Sequence, residues 1–214
     1  MEQEHVQKAL AELHQQPKKK FSQSYDLIIN LKNMELKQQS FDLFVILHHG
    51  KGKPVKVAAF VDQQLAEQAQ KHCDLAIKET EFAKYADKKT AKKLAREYDY
   101  FIAQANLMPK VAAAFGKALG TRGKMPNPKL GCVVPPNANL ELLVKKLRFT
   151  LRLVAKKGLN LQCLVGKEAQ PEEEVIDNVL TIYQAVAKQV PNESHNIKNV
   201  QLKLTMSKPV KIHG

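Results

Sequence analysis

The chain has 214 residues, 44% of them hydrophobic, and its 34 Lys and Arg against 21 Asp and Glu give a net charge of +13 and a pI near 9.6. That is room for one large domain or two small ones, with enough apolar mass for a packed core. The charge points to nucleic acid or another anionic surface, and the lack of any apolar run of about 18 residues argues against a membrane-spanning helix.

Val6, Ala9, Leu10 and Leu13 recur at helical spacing over residues 2–14, and the acidic, amphipathic start MEQEHVQKAL does not read as a signal peptide. Pro17 ends that helix, and Lys18, Lys19 and Lys20 follow. Phe21, Gln23, Tyr25, Leu27, Ile29 and Leu31 then alternate with mostly polar neighbours, the pattern of a strand with one apolar face. Phe41–Leu47 is a second strand, and His48–Pro54 (HHGKGKP) is a basic loop. From there the pattern changes. Short apolar strands at Val55–Val61, Leu75–Ile77 and Tyr98–Ala103 alternate with helices over Gln63–His72, Glu79–Glu97 and Leu107–Leu119. Such alternation implies a parallel sheet with helical crossovers. A loop covers 119–137, and a helix capped by Asn139 runs to Leu147.

Beyond residue 148 the earlier style returns. Strands Arg148–Val154 and Asn160–Val165 are joined through Lys156, Lys157 and Gly158. A helix spans Pro171–Gln189, with Glu172, Glu173 and Glu174 near its N-terminus, where the helix dipole favours them. A strand at Ile197–Thr205 follows. The change of style marks an insertion: residues 1–54 and 148–214 pair as one discontinuous α+β domain, and residues 55–147 form an α/β domain between them. Neither part is neutral, with 16 cations against 9 carboxylates in the insert and 18 against 12 in the rest.

Residues 119–131 read LGTRGKMPNPKLG. Three glycines and two prolines are incompatible with a regular helix or strand, so this is a shaped, exposed, cationic loop suited to a polyanion. It is not a nucleotide-hydrolysis loop. That motif needs GxxxxGK[ST] between a strand and a helix, whereas this loop follows a helix and lacks the hydroxyl, as does HHGKGK at 48–53. No Ser/His/Asp or Cys/His arrangement stands out, so no catalytic residue and no cofactor are expected. Cys73, Cys132 and Cys163 form neither a metal-type pair nor a disulfide framework and read as buried, reduced thiols of a cytosolic protein. His48 and His49, at a strand end, point to opposite faces by strand alternation, which argues against a shared metal. Glu172–Glu174 and Asp177 read as capping and dipole compensation.

Two segments carry an RNA signal. In Lys18, Lys19, Lys20, Phe21, Ser22, Gln23 and Ser24, cations for phosphates lead into an aromatic ring and then into hydroxyls and an amide that suit 2′-hydroxyls. Taken alone, the same residues equally fit a core Phe21 beside lysines of a solvated turn. Thr205, Met206, Ser207 and Lys208 repeat the mixture at the end of the last strand. No sheet is rich enough in aromatics for a single-strand binder, so folded RNA recognised by shape is the expected ligand.

Taken together, Leu119–Pro128, FIAQANLMP at 101–109, KFSQSYD at 20–26, LVG at 164–166 and LTMS at 204–207 resemble the L-one family of large-subunit ribosomal proteins, the proteins of the mobile side stalk, in its archaeal form. The resemblance spans nearly the whole chain. It implies a two-layer α+β domain from both termini and an inserted, Rossmann-like, three-layer α/β domain. It implies a cytoplasmic component of the 50S-type large subunit that grips side-stalk rRNA, escorts deacylated tRNA from the exit site and represses its own mRNA, with no membrane partner. Carried over by position, the RNA grip falls on Lys20, Phe21 and Ser24 and on Thr205 and Met206. The signature loop, with Gly120, Arg122, Gly123, Lys124, Pro126 and Lys129, is a candidate second RNA contact. The chain departs from the family pattern at Ser207, where glycine is usual, and at Thr121, where proline is usual. A non-ribosomal RNA-binding regulator or chaperone is the alternative from the same features.

Overall fold

The computed structural model describes residues 2–17, 19–34, 41–85, 87–155, 158–191 and 193–213. Lys18, Lys156 and Lys157 therefore lie outside the described residues. The chain divides into two compact units, one made of Met1–Lys53 with Phe149–Gly214, the other of Pro54–Arg148.

The first unit is built on β1 (Ser24–Leu31), β8 (Asn160–Lys167), β9 (Ile197–Leu204) and β10 (Val210–His213), in an antiparallel sheet of order β10-β9-β1-β8. Helices α1 (Gln3–His14) and α7 (Glu172–Gln189) pack on it and on each other. The alternation along β1 decides the faces: Tyr25, Leu27, Ile29 and Leu31 are buried while their neighbours are half-exposed. They meet Val6, Leu10 and Leu13 of α1, Val175, Val179, Ile182 and Val186 of α7, and Val200, Leu202 and Leu204 of β9 in one core. A Cβ at Gly166 of β8 would lie 2.9 Å from Val175 Cγ2, so the close seating of α7 on the sheet requires glycine there. The chain leaves this unit after β2 (Phe41–Ile46) and re-enters at β7 (Thr150–Ala155). These two strands pair antiparallel from Phe41 opposite Ala155 to Ile46 opposite Thr150.

The second unit has a parallel sheet of order β4-β3-β5-β6, from β3 (Val57–Val61), β4 (Leu75–Lys78), β5 (Tyr100–Gln104) and the two-residue β6 (Val133–Val134). All five residues of β3 are buried, as expected for a strand covered on both faces. Around the sheet run α2 (Gln63–His72), α3 (Phe82–Tyr85), α4 (Lys88–Glu97), α5 (Met108–Gly120) and α6 (Leu140–Phe149). Phe60 is the centre of an aromatic cluster, 4.9 Å from Phe115, 5.6 Å from Phe82 and 5.8 Å from Phe101 between ring centres. The molecule thus combines an antiparallel α+β unit with a Rossmann-like α/β unit. Among the described residues, no helix is long and apolar enough to cross a membrane.

The structure departs from the sequence expectation at several elements. The helix expected over 79–97 is broken: Asp87 has extended ψ, and its carboxylate accepts from Lys89 N at 3.1 Å, starting α4 anew. The first strand begins at Ser24 rather than Phe21. Strands β6 and β10 were not expected at all.

Candidate nucleic-acid interface

Antiparallel pairing of β1 with β9 places Tyr25 opposite Leu204, so the residues before β1 and those after β9 emerge side by side, although some 180 positions apart in sequence. Hydrogen bonds then lock them together. Ser24 N–H donates to the Thr205 hydroxyl at 3.1 Å, and that hydroxyl donates back to the Ser24 carbonyl at 3.4 Å. Met206 N–H donates to Oε1 of Gln23 at 3.1 Å. Ser207 closes the turn: Leu204 N–H donates to its Oγ at 2.7 Å, and the hydroxyl donates to the Leu204 carbonyl at 3.2 Å. Ser207 has no positive φ, so the serine that replaces glycine sits without backbone strain and adds a bond glycine lacks. From the end of α1, Gln16 exchanges two bonds with the Lys208 backbone, at 3.2 and 3.4 Å.

The result is a fixed edge with an unusual surface. Phe21 is 53% exposed and Met206 65% exposed, two of the five large apolar side chains left open among the described residues. Lys19, Lys20, Ser22, Thr205 and Lys208 are exposed, and Ser24 is half-buried. Such an edge offers point charges for phosphates, a ring and a thioether for a ribose or base face, and hydroxyls, without an acid–base pair for chemistry.

A polar layer supports this edge, and it corrects the expectation that the Gln23 amide reaches 2′-hydroxyls: the side chain is buried and its Oε1 is taken by Met206 N–H. Gln23 is only 3% exposed, and its backbone N–H donates to Glu168 Oε2 at 3.2 Å while its carbonyl accepts from Glu168 N–H at 2.9 Å. Beneath it the Tyr25 hydroxyl and His14 Nε2 lie 2.6 Å apart, and His14 Nδ1 lies 3.2 Å from Glu172 Oε1. Burial, with Glu168 and Glu172 adding to it, pushes the Tyr25 hydroxyl up to about 12, so it stays neutral. The available signal was Gln23 itself, a polar residue at an inward position of an alternating strand.

In the second unit, the signature loop is first of all a helix terminus. Lys124 N–H bonds the Leu119 carbonyl at 2.9 Å and Gly123 N–H the Gly120 carbonyl at 3.0 Å, with Gly123 at φ 66°. This is a Schellman closure with glycine at the left-handed position. Thr121 has φ −59°, the value a proline would fix, and its hydroxyl donates to the Lys117 and Ala118 carbonyls. Lys124 turns inward, its ammonium 2.7 Å from the Tyr98 carbonyl, and Pro126 is buried. The exposed members are Gly120, Arg122 and Lys129. Lys124→Met should therefore destabilise the second unit by about 1 kcal/mol. Denaturant unfolding monitored in that unit checks this, and an unchanged midpoint would contradict it.

His48 and His49 correct a second expectation. Strand β2 ends at Ile46, so alternation no longer governs them, and both rings turn to one carboxylate: His48 Nδ1 is 2.8 Å and His49 Nε2 3.5 Å from Asp177 Oδ2. Asp177, one turn into α7, thus holds the histidine pair rather than the helix start. No group of three His, Cys, Asp or Glu among the described residues is placed to hold a metal. Cys73, Cys132 and Cys163 are free and buried, and burial pushes their thiols up to about 11, 11 and 12. An unfolded thiol ionises near 8.5. The folded state favours the neutral thiol, so this stability is complete below about pH 8.5 and is lost as pH rises toward 11–12. The urea midpoint should fall steadily above pH 9, and a flat midpoint to pH 11 would contradict this.

Comparison with known proteins now adds to the geometry. Residues 11–208 match the model of the ribosomal protein L1p/L10e family. The chain is similar to the large ribosomal subunit protein uL1 of Nanoarchaeum equitans, 38% identical over 199 residues that cover 91% of this chain and 93% of that one. It is 39% identical over 198 residues to the uL1 protein of Pyrococcus abyssi, covering 91% and 88% of the two chains. With that of Methanothermococcus thermolithotrophicus it shares 38% identity over 216 residues, 99% of each.

Proposed function

The chain belongs to the ribosomal protein L1p/L10e family, and from that membership we propose that it is a structural constituent of the large ribosomal subunit in the cytoplasm, not an enzyme, held on side-stalk rRNA by the first unit. The observation that carries this reading is the edge where residues 19–24 meet residues 205–208. There, exposed Phe21 and Met206 stand among Lys19, Lys20 and Lys208 on a backbone fixed by Gln23 and Thr205. The lysines neutralise phosphates, the ring and thioether pack on a splayed base or ribose, and Ser22 and Ser24 face 2′-hydroxyls. A pre-ordered edge of this kind selects a folded RNA whose backbone fits it, and loses little entropy on binding. The family resemblance adds two finer roles: escorting deacylated tRNA from the exit site, and repressing translation of its own mRNA through an RNA fold similar to the stalk.

Sedimentation tests the subunit reading. The protein should co-migrate with large subunits through a high-salt wash, whereas a free regulator would be stripped into the supernatant. Binding to the isolated stalk RNA should fall steeply with salt, with a log–log slope of about −3 for three to four phosphates neutralised. A flat salt response would rule out phosphate contacts as the source of affinity.

A further inference from the structure

The exposed side of α4 carries Lys88, Lys89, Lys92, Lys93 and Arg96, and none of their side chains makes an ion pair or hydrogen bond with the described residues. The two acids of the segment are already engaged: Asp87 caps the helix, and Glu97 pairs with Lys56 at 3.1 Å. The opposite face is fully committed to the core through Ala91, Leu94 and Ala95. Lys88, Lys92 and Arg96 form one row and Lys89 and Lys93 a second, with about 6 Å between successive cations in a row. Like charges at this spacing disfavour a helix, so the face is held against its own repulsion. Helix α4 packs on α5, and the bond from Lys124 to the Tyr98 carbonyl ties the turn after α5 to the end of α4.

We propose that this face is a second docking site, taking the phosphate backbone of double-helical RNA without reading its sequence. Charge complementarity favours RNA over an acidic protein. Protein interfaces need apolar or aromatic anchors at their centre, and none of the large exposed apolar side chains of the described residues lies on α4. Rows of flexible cations without an anchor suit a regular line of phosphates. The site narrows a second RNA contact in this unit to one face of one helix and to duplex phosphates, and it does not depend on the grip at Phe21.

The test uses the full chain and a blunt RNA duplex of about 16 base pairs, roughly the span that double-strand-binding modules cover. Lys88→Gln, Lys89→Gln, Lys92→Gln and Lys93→Gln combined should weaken duplex binding at least tenfold and make the log–log salt slope shallower by about 3. These positions avoid the buried face, so the circular dichroism spectrum and unfolding midpoint should be retained. A control that neutralises Lys8, Lys32, Lys198 and Lys211, all exposed on the first unit, should weaken duplex binding less than threefold. The proposal is overturned if the α4 variant keeps wild-type affinity and slope, or if the control loses as much. Poly-glutamate bound as tightly as the duplex, with the same dependence on α4, would overturn RNA as the occupant. Because the duplex lacks the stalk fold, failure of the first unit's grip leaves this result unaffected.

Discussion

Phe21→Ala should weaken binding to side-stalk rRNA by about 1–3 kcal/mol, roughly 5- to 150-fold, without changing the unfolding midpoint. The two halves of this expectation come from one fact. The ring is 53% exposed and so contributes little to the core, yet it stands beside Lys19 and Lys20, just ahead of Gln23 and Ser24, whose backbone is tied to residues 205 and 206. An aromatic ring left this exposed buries its face only when a ligand arrives. Truncation then removes packing that exists in the complex and not in the free protein. Filter binding at fixed salt, with thermal unfolding in parallel, separates the two halves. Full affinity in the variant would mean that the RNA does not touch this ring.

Gln23→Leu is expected to act on both levels. The side chain is buried, and its Oε1 is the acceptor for Met206 N–H. Leucine fills the space but removes that acceptor, at a cost of about 1 kcal/mol in folding stability because the N–H of exposed Met206 can turn to water. The 205–208 turn also loses its tie to the first segment, so RNA affinity should drop about tenfold even where the protein remains folded, because the edge must then be ordered during binding. Urea unfolding and RNA titration on the same preparation read both effects. Stability and affinity both at wild-type level would show that the Thr205 and Ser207 bonds suffice to hold the turn.

Long elements with a clear period were legible from sequence. Residues 2–14, 63–72 and 171–189 are helical largely as their spacing indicates, and the buried run of β3 reads directly as a covered strand. Short elements were not. Strand β10 has four residues and β6 two, too few for any period, and both exist because a neighbouring strand offers a ladder to join. The break before α4 turns on one carboxylate: Asp87 looks like another charged helical residue until its side chain is seen to accept the Lys89 N–H. Lys18, assigned to the grip from sequence, lies outside the described residues.

The candidate interface was legible as two separate segments. Charge, hydroxyls and one aromatic mark residues 18–24, and a similar mixture marks 204–208. Their juxtaposition is a matter of register between β1 and β9, which no local pattern contains. The polar support was hidden for the opposite reason. Gln23 and Glu168 bond each other across the sheet end, Gln23 also accepts Met206 N–H on its side chain, and His14 and Glu172 approach Tyr25 from two different helices. The histidine pair at Asp177 escaped because strand alternation was extended past the end of the strand.

If the edge formed by residues 19–24 and 205–208 anchors the chain in the large ribosomal subunit, its exposed apolar side chains should decide whether the chain stays there. Large subunits stripped of this protein and reconstituted with either wild type or the combined Phe21→Ala, Met206→Ala variant test it most directly. Wild type should rebind and survive a high-salt wash, while the variant, folded to the same unfolding midpoint, should be lost from the subunit. Salt-resistant rebinding of the variant at wild-type occupancy would contradict it.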